Sequence, residues 1–258
     1  MKSGLQLDAL FTEFPGNPLL QSPNLLRLQE LSQEYSFFLV VDDTIGTCAN
    51  VSVLPQCDVV CTSLTKMFSG GCNVMGGAAI LSPKSPHREG LQTRLLKQHD
   101  DHIWFPQDMA IMEENSRDFP DRVHHASRNA QMIVGWLRDH PTVDQVYYPF
   151  QSPTQATYDR FRLPGGLYGF LVSIKFTSPA RAVAFYDALD VAKGPSLGTN
   201  FTLCCAYTLL AHYKELDWAA EYGVVEDLVR ISVGLEDEEW LKKRVDKALK
   251  AASDCPES

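Results

Sequence analysis

The sequence predicts an α/β protein, with a sheet-and-helix layered domain first and a smaller α+β unit after it, and three observations carry that expectation. Short apolar runs of strand length stop abruptly at polar residues: 37–41 ends at Asp42, 58–62 at Ser63 and 77–81 at Ser82. That is the pattern of strands buried on both faces. Ahead of the first run, Leu25, Leu26, Leu28 and Leu31 make a stripe at helical spacing, and a long stretch of helical periodicity over 107–138 follows the last. Strands interleaved with helices in this order build a layered α/β architecture.

Taken in order, residues 9–14 read as a strand closed by Pro15, Gly16, Asn17 and Pro18, a cluster that breaks regular structure and leaves backbone exposed at a strand end. Ser22 and Pro23 signal a helix start, and the leucine stripe carries that helix to about Tyr35. After the three strands, Met109, Met112, Phe119, Ile133, Val134, Trp136 and Leu137 give one long helix, or two abutting helices divided near Pro120, stopped by Pro141. A strand at 143–148 runs into a Pro-rich loop, which places a boundary between units 1–140 and 141–258. The second unit reads as helix 154–161, strand 167–176, helices 179–189 and 205–212, strand 228–233 and helix 237–251.

The chain of 258 residues, 45% hydrophobic and 21% charged, has the composition of a folded globular protein. A net charge of −9, with no basic block longer than Lys242, Lys243 and Arg244, argues against nucleic-acid binding and for a small-molecule or protein partner. No apolar run approaches the roughly 20 residues of a membrane span, and the first twenty residues carry no leader pattern, so a cytoplasmic location is expected. The seven cysteines lack paired spacings; Cys57 and Cys61 have no second pair to complete a knuckle, so reduced thiols and no metal are expected.

Chemistry concentrates at Ser63, Leu64, Thr65 and Lys66, followed by glycines at 70, 71, 76 and 77. A lysine just past a buried strand, flanked by two hydroxyls, could form an imine with a carbonyl cofactor while the hydroxyls bond its phosphate. The plain alternative is a solvated loop lysine. Asp42 ends the neighbouring strand, where ligand sites of open α/β sheets gather, and a carboxylate there could keep a pyridine nitrogen protonated. Its alternative is a turn or cap aspartate.

Five segments in order resemble the Cys/Met metabolism pyridoxal-phosphate (PLP) enzymes of trans-sulfuration, in particular the fungal-type cystathionine γ-synthase branch. They are Glu13 to Pro18, Val41 to Thr44, Ser63 to Lys66 with Gly76 and Gly77 behind it, Ser196 to Thr199, and Arg230 to Glu236. The resemblance implies an aspartate aminotransferase-like, type I PLP fold, incomplete at its amino end over 1–140, with a small carboxyl-terminal domain over 141–258. It implies that Lys66 holds PLP and shuttles protons, that Asp42 pairs with the pyridine nitrogen, and that Ser63 and Thr65 hold the phosphate. It further implies that Arg230 binds the substrate α-carboxylate, with Ser196 near the same carboxylate and Asn17 near it and the cofactor ring oxygen. A guanidinium fork suits the carboxylate role; the alternative for Arg230 is a surface ion pair with Glu226 or Asp227. Thr44 is read as bonding strand-end backbone, Asp43 as a turn residue where most of the family has Asn, and His124 and His125 as helix-surface positions.

The implied reaction replaces the γ-substituent of an activated homoserine with cysteine, or is a related elimination or replacement in specialised biosynthesis, in a homo-oligomer or in association with a fuller homologue. In the family, the part absent from this chain supplies a phosphate-binding Gly loop, a tyrosine stacked on the ring, and a Tyr and an Arg reaching the neighbouring subunit. The alternative is therefore a weakly active or inactive fragment, or a partner subunit.

Overall fold

The computed structural model describes residues 6–98 and 103–255; residues 1–5, where the leader reading began, lie outside them. β1 (Ala9–Glu13), α1 (Leu25–Tyr35), β2 (Phe38–Asp42), β3 (Val59–Ser63) and β4 (Gly77–Leu81) fall within a residue or two of their expected places, apart from the start of α1. That helix begins later than Ser22: the Asn24 side chain accepts from the Arg27 N–H and so supplies the cap, while Ser22 is buried in the preceding loop. The four strands form one sheet in the order β1-β2-β3-β4, the first three parallel and the last antiparallel. The register sets Glu13 beside Asp42, Asp42 beside Cys61 and Ser63 beside Gly77, so the carboxyl ends of three parallel strands share one rim.

α2 (Arg88–Gln98) was not expected, because it buries no residue and so shows no apolar stripe. The expected long helix divides into α3 (Pro106–Ser116) and α4 (Phe119–Arg138), with Pro120 in the first turn of α4, where a missing N–H costs nothing. α4 buries Val123, Ala126, Ala130, Ile133, Val134 and Leu137 at helical spacing. His124 is exposed on it and His125 half-buried.

β5 (Val143–Tyr147), α5 (Gln155–Asp159), β6 (Leu171–Phe176), α6 (Pro179–Ala188), β7 (Ala192–Lys193), β8 (Leu203–Ala206), α7 (Tyr207–Ala211), α8 (Leu216–Glu221), β9 (Val229–Ser232) and α9 (Glu238–Asp254) complete the chain. The second sheet runs β5-β6-β9-β8-β7. Two expectations are corrected here. The helix read over 205–212 begins only at Tyr207, because Cys204 and Cys205 lie in a buried strand paired with Ile231 and Arg230 of β9. The strand read from 167 begins at Leu171, since Gly169 has φ +88° and its carbonyl accepts from the Tyr148 hydroxyl.

One apolar cluster runs from Val41 and Val60 of the first sheet through Ile133 and Leu137 of α4 to Val172 and Ile231 of the second and Leu241 and Val245 of α9. Both outer edges of the first sheet, β1 and β4, carry no further strand among the described residues, and Phe11 on β1 is 75% exposed.

Candidate active site

The rim formed by the ends of β1, β2 and β3 opens into a cleft of ≈ 180 Å³ lined by Glu13, Pro15, Asn17, Asp42, Thr44, Ile45, Ser63, Lys66 and Leu197. A larger cleft of ≈ 290 Å³ lies at the opposite strand ends, bounded by Ser36, Asp58 and His87. There the Asp58 carboxylate is already spent on the Leu39 N–H and the Ser85 hydroxyl, and none of the residues singled out for chemistry lines it.

At the first wall, the Asn17 N–H donates to Glu13 Oε2 at 2.6 Å, folding the Pro-rich loop back onto its strand, with the Phe14–Pro15 and Asn17–Pro18 peptides cis. Burial pushes the Glu13 carboxyl above its usual range; the Asn17 N–H opposes this and the charge of Asp42 adds to it. Asp42 Oδ1 accepts from the Thr44 N–H at 2.9 Å, so the turn bond foreseen as its alternative role is present, while the residue still faces the cleft. Thr44 in turn accepts from the Ser63 N–H at 2.8 Å, tying the ends of β2 and β3 together.

Asp43 is 4% exposed, which a simple turn residue would not be. Burial pushes its carboxyl up to about 6, the Thr62 hydrogen bond opposing and Asp42 reinforcing the rise. A carboxyl raised in the fold binds protons that the unfolded chain has released, so its contribution to stability falls as pH climbs from about 4 to about 6 and stays low above that. Asp43→Asn is expected to flatten that slope and to raise stability at about pH 7 by on the order of 2 kcal/mol, roughly 5 °C in Tm. Thermal melts of both proteins across this range check it; parallel pH profiles would refute it.

Lys66 sits in a single wide turn, Leu64–Phe68, and its ψ of −133° throws the residue out of helical geometry. Three contacts hold the turn. The Thr65 hydroxyl accepts from Gly76 N–H at 3.0 Å and donates to Gly76 O at 3.2 Å, and Thr65 stands outside the cleft wall, whereas Ser63 is on it. Arg122 of α4, 6% exposed, donates to the carbonyls of Met67 and Phe68 at 2.7 Å each, and also to Asn115 O and Asp118 Oδ1. Gly198, at φ +71°, packs against the turn so closely that a Cβ would lie 2.5 Å from Met67 N and 3.0 Å from Lys66 Cβ. Half-buried rather than solvated, Lys66 reaches Ser196 Oγ with its Nζ at 2.9 Å.

Arg230 is not a surface ion pair. It is 3% exposed on β9 and donates through Nη1 to Asn17 Oδ1 at 3.1 Å and through Nη2 to the carbonyls of Pro195 and Ser196 at 2.5 and 3.1 Å. Its guanidinium lies 4.8 Å from the Tyr207 ring centre, and its Nε is buried without a hydrogen-bond partner. Lys66, Ser196, Arg230 and Asn17 are thus linked by hydrogen bonds; Lys66 and Asn17 line the cleft together with Asp42 and Ser63, while Ser196 and Arg230 bond to its lining residues without lining it themselves. An amine, a carboxylate, a hydroxyl and a guanidinium with an unsatisfied donor form a set that could hold a pyridoxal cofactor together with an amino-acid carboxylate. Arg122, Tyr207 and the close packing of Gly198 were not foreseen. Arg122 shows no local signal in its helix, and Tyr207 opens α7 with nothing in the sequence around it to tie it to Arg230.

The chain matches the model of the Cys/Met metabolism PLP-dependent enzyme family over residues 3–250. It is 52% identical to a cystathionine gamma-synthase of Neurospora crassa over 98% of this chain and 41% of that one, and 48% identical to a cystathionine gamma-synthase-like enzyme of Amanita muscaria over 96% and 42%. Among solved structures it is similar to cystathionine gamma-lyase from yeast, with a TM-score of 0.87 and 27% identity, covering 96% of this chain and 65% of that one. The chain therefore spans less than half the length of these curated relatives.

Proposed function

We propose, from the premise that the chain belongs to the Cys/Met metabolism PLP-dependent enzyme family and carries the type I fold of its solved PLP-dependent relatives, that it catalyses γ-replacement on an activated homoserine. One observation carries the reading: Ser196 touches both reactive ends of the site, its hydroxyl accepting from Lys66 Nζ at 2.9 Å and its carbonyl accepting from Arg230 Nη2 at 3.1 Å. A base for Cα and a fork for the α-carboxylate thus stand one residue apart, as an α-amino acid requires.

In this reading Arg230 and Asn17 fix the carboxylate, Lys66 Nζ takes the Cα proton and returns it within the substrate, and Ser196 Oγ keeps the amine turned toward the cleft. Asp42 would pair with the pyridine nitrogen, and Ser63 and Thr65 would hold the phosphate. Bound PLP supplies an electron sink for the α-carbon. The bond from Cγ to the acyl oxygen breaks, the cysteine thiol loses its proton as the Cγ–S bond forms, and cystathionine and a carboxylic acid leave. Residues 1–140 act as the cofactor unit and 141–258 as the carboxylate unit, and the assembly is a homo-oligomer. Among the described residues no helix is long and apolar enough to cross a membrane.

A second reading, a subunit that completes its site with a fuller homologue, is favoured by the open edges of β1 and β4. The deciding experiment incubates the purified chain with PLP, an O-acyl-homoserine and cysteine, and measures cystathionine. Product from the chain alone supports the first reading. Product only after a full-length homologue is added supports the second, and none in either mixture overturns both.

A further inference from the structure

Arg230 is a buried cation with no carboxylate paired to it among the described residues, so something neutral must hold it until a ligand arrives. Tyr207 follows directly on β8, whose register sets Cys205 opposite Arg230 and Ala206 opposite Val229, and this brings its ring to 4.8 Å from the guanidinium. The ring is fixed in turn: the Tyr207 N–H donates to Leu228 O at 2.9 Å, and the side chain packs on the Ala219, Val224 and Leu228 cluster. Its hydroxyl accepts from Asn17 Nδ2 at 3.3 Å, which turns the amide so that Oδ1 faces Arg230. Tyr207, Asn17 and Arg230 therefore close a ring of three contacts, with only the guanidinium charged.

We propose that Tyr207 is the positioning residue of the carboxylate fork, carrying the Arg230 guanidinium on its ring and presenting the Asn17 carbonyl to it, so that the guanidinium is held in place with its charge uncancelled for an incoming α-carboxylate. This rests on the role given to Arg230 above. A neutral aromatic support holds the guanidinium without cancelling its charge, which an acidic residue in the same place would do before substrate bound. Burial pushes the Tyr207 phenol up, with Arg230 opposing, so the support stays neutral at physiological pH.

The test follows the Arg230 Nε–H resonance of the full chain by NMR, assigned by its loss in Arg230→Lys, during titration with L-homoserine. In the wild type the resonance moves with a saturable midpoint. Tyr207→Leu raises that midpoint at least about tenfold, while Tyr207→Phe, which keeps the ring and loses only the hydroxyl, raises it about threefold. A midpoint unchanged in both variants overturns the role of Tyr207 and leaves that of Arg230 standing. A wild-type resonance that never moves overturns the Arg230 reading itself. Should Tyr207→Leu not fold, the Phe variant decides alone, an unchanged midpoint counting against the proposal.

Discussion

Under the proposed function, Lys66→Ala is expected to leave a folded chain that no longer forms the visible absorbance band of lysine-bound pyridoxal phosphate and makes cystathionine at least about a thousandfold more slowly. In the proposed mechanism the amine is the covalent anchor and the base at once, so its loss is expected to remove two functions together. Structurally it gives up little: Lys66 is half-buried and its side chain makes one hydrogen bond, to Ser196. Tm is therefore expected within about 2 °C of the wild type. Spectra with added cofactor, borohydride trapping followed by peptide mapping, and a thermal melt check the three parts. A band of full intensity in the variant would move the anchor to another residue.

Arg122→Met has the opposite signature, a large loss of stability. The guanidinium is buried and its fork satisfies the carbonyls of Met67 and Phe68 on one side and of Asn115 on the other. The ion pair with Asp118 adds little, since that carboxylate is 63% exposed. Removing the fork leaves buried carbonyls without donors at about 1 kcal/mol or more each, some 3 kcal/mol together, or roughly 10 °C in Tm. Because two of those carbonyls follow Lys66 directly, the turn that presents the amine loosens too, and borohydride trapping is expected to slow. Arg122→Lys recovers only part, having no planar fork to span three carbonyls. A melt within 2 °C of the wild type would refute the anchoring role.

Much of the site was legible because its first half is local. The apolar strands stop where their polar ends meet the rim, and Ser63, Lys66 and Asp42 sit at those stops. Resemblance alone pointed to Arg230, since an arginine close to Glu226 and Asp227 in sequence reads as a surface ion pair until the burial of β9 is seen. β8 was hidden by its length: four residues are too few to show a period, and the leucines at 209 and 210 lend helical character to its surroundings. Arg122 was invisible for another reason. Its partners are carbonyls, which carry no side-chain signature, and Met67 lies 55 residues away in the chain.

The Asn17–Arg230 hydrogen bond joins positions 213 residues apart, and Lys66–Ser196 joins positions 130 apart. Closing loops of that size is entropically uphill until the sheets they connect have packed. On the ribosome, Asp42 and Lys66 emerge well before Ser196 and Arg230, so the cleft first exists as an open half. The hydrogen bonds from Ser196 and Arg230 can form only once β9 has followed. The order of translation thus places assembly of the site after the first sheet already has its helix.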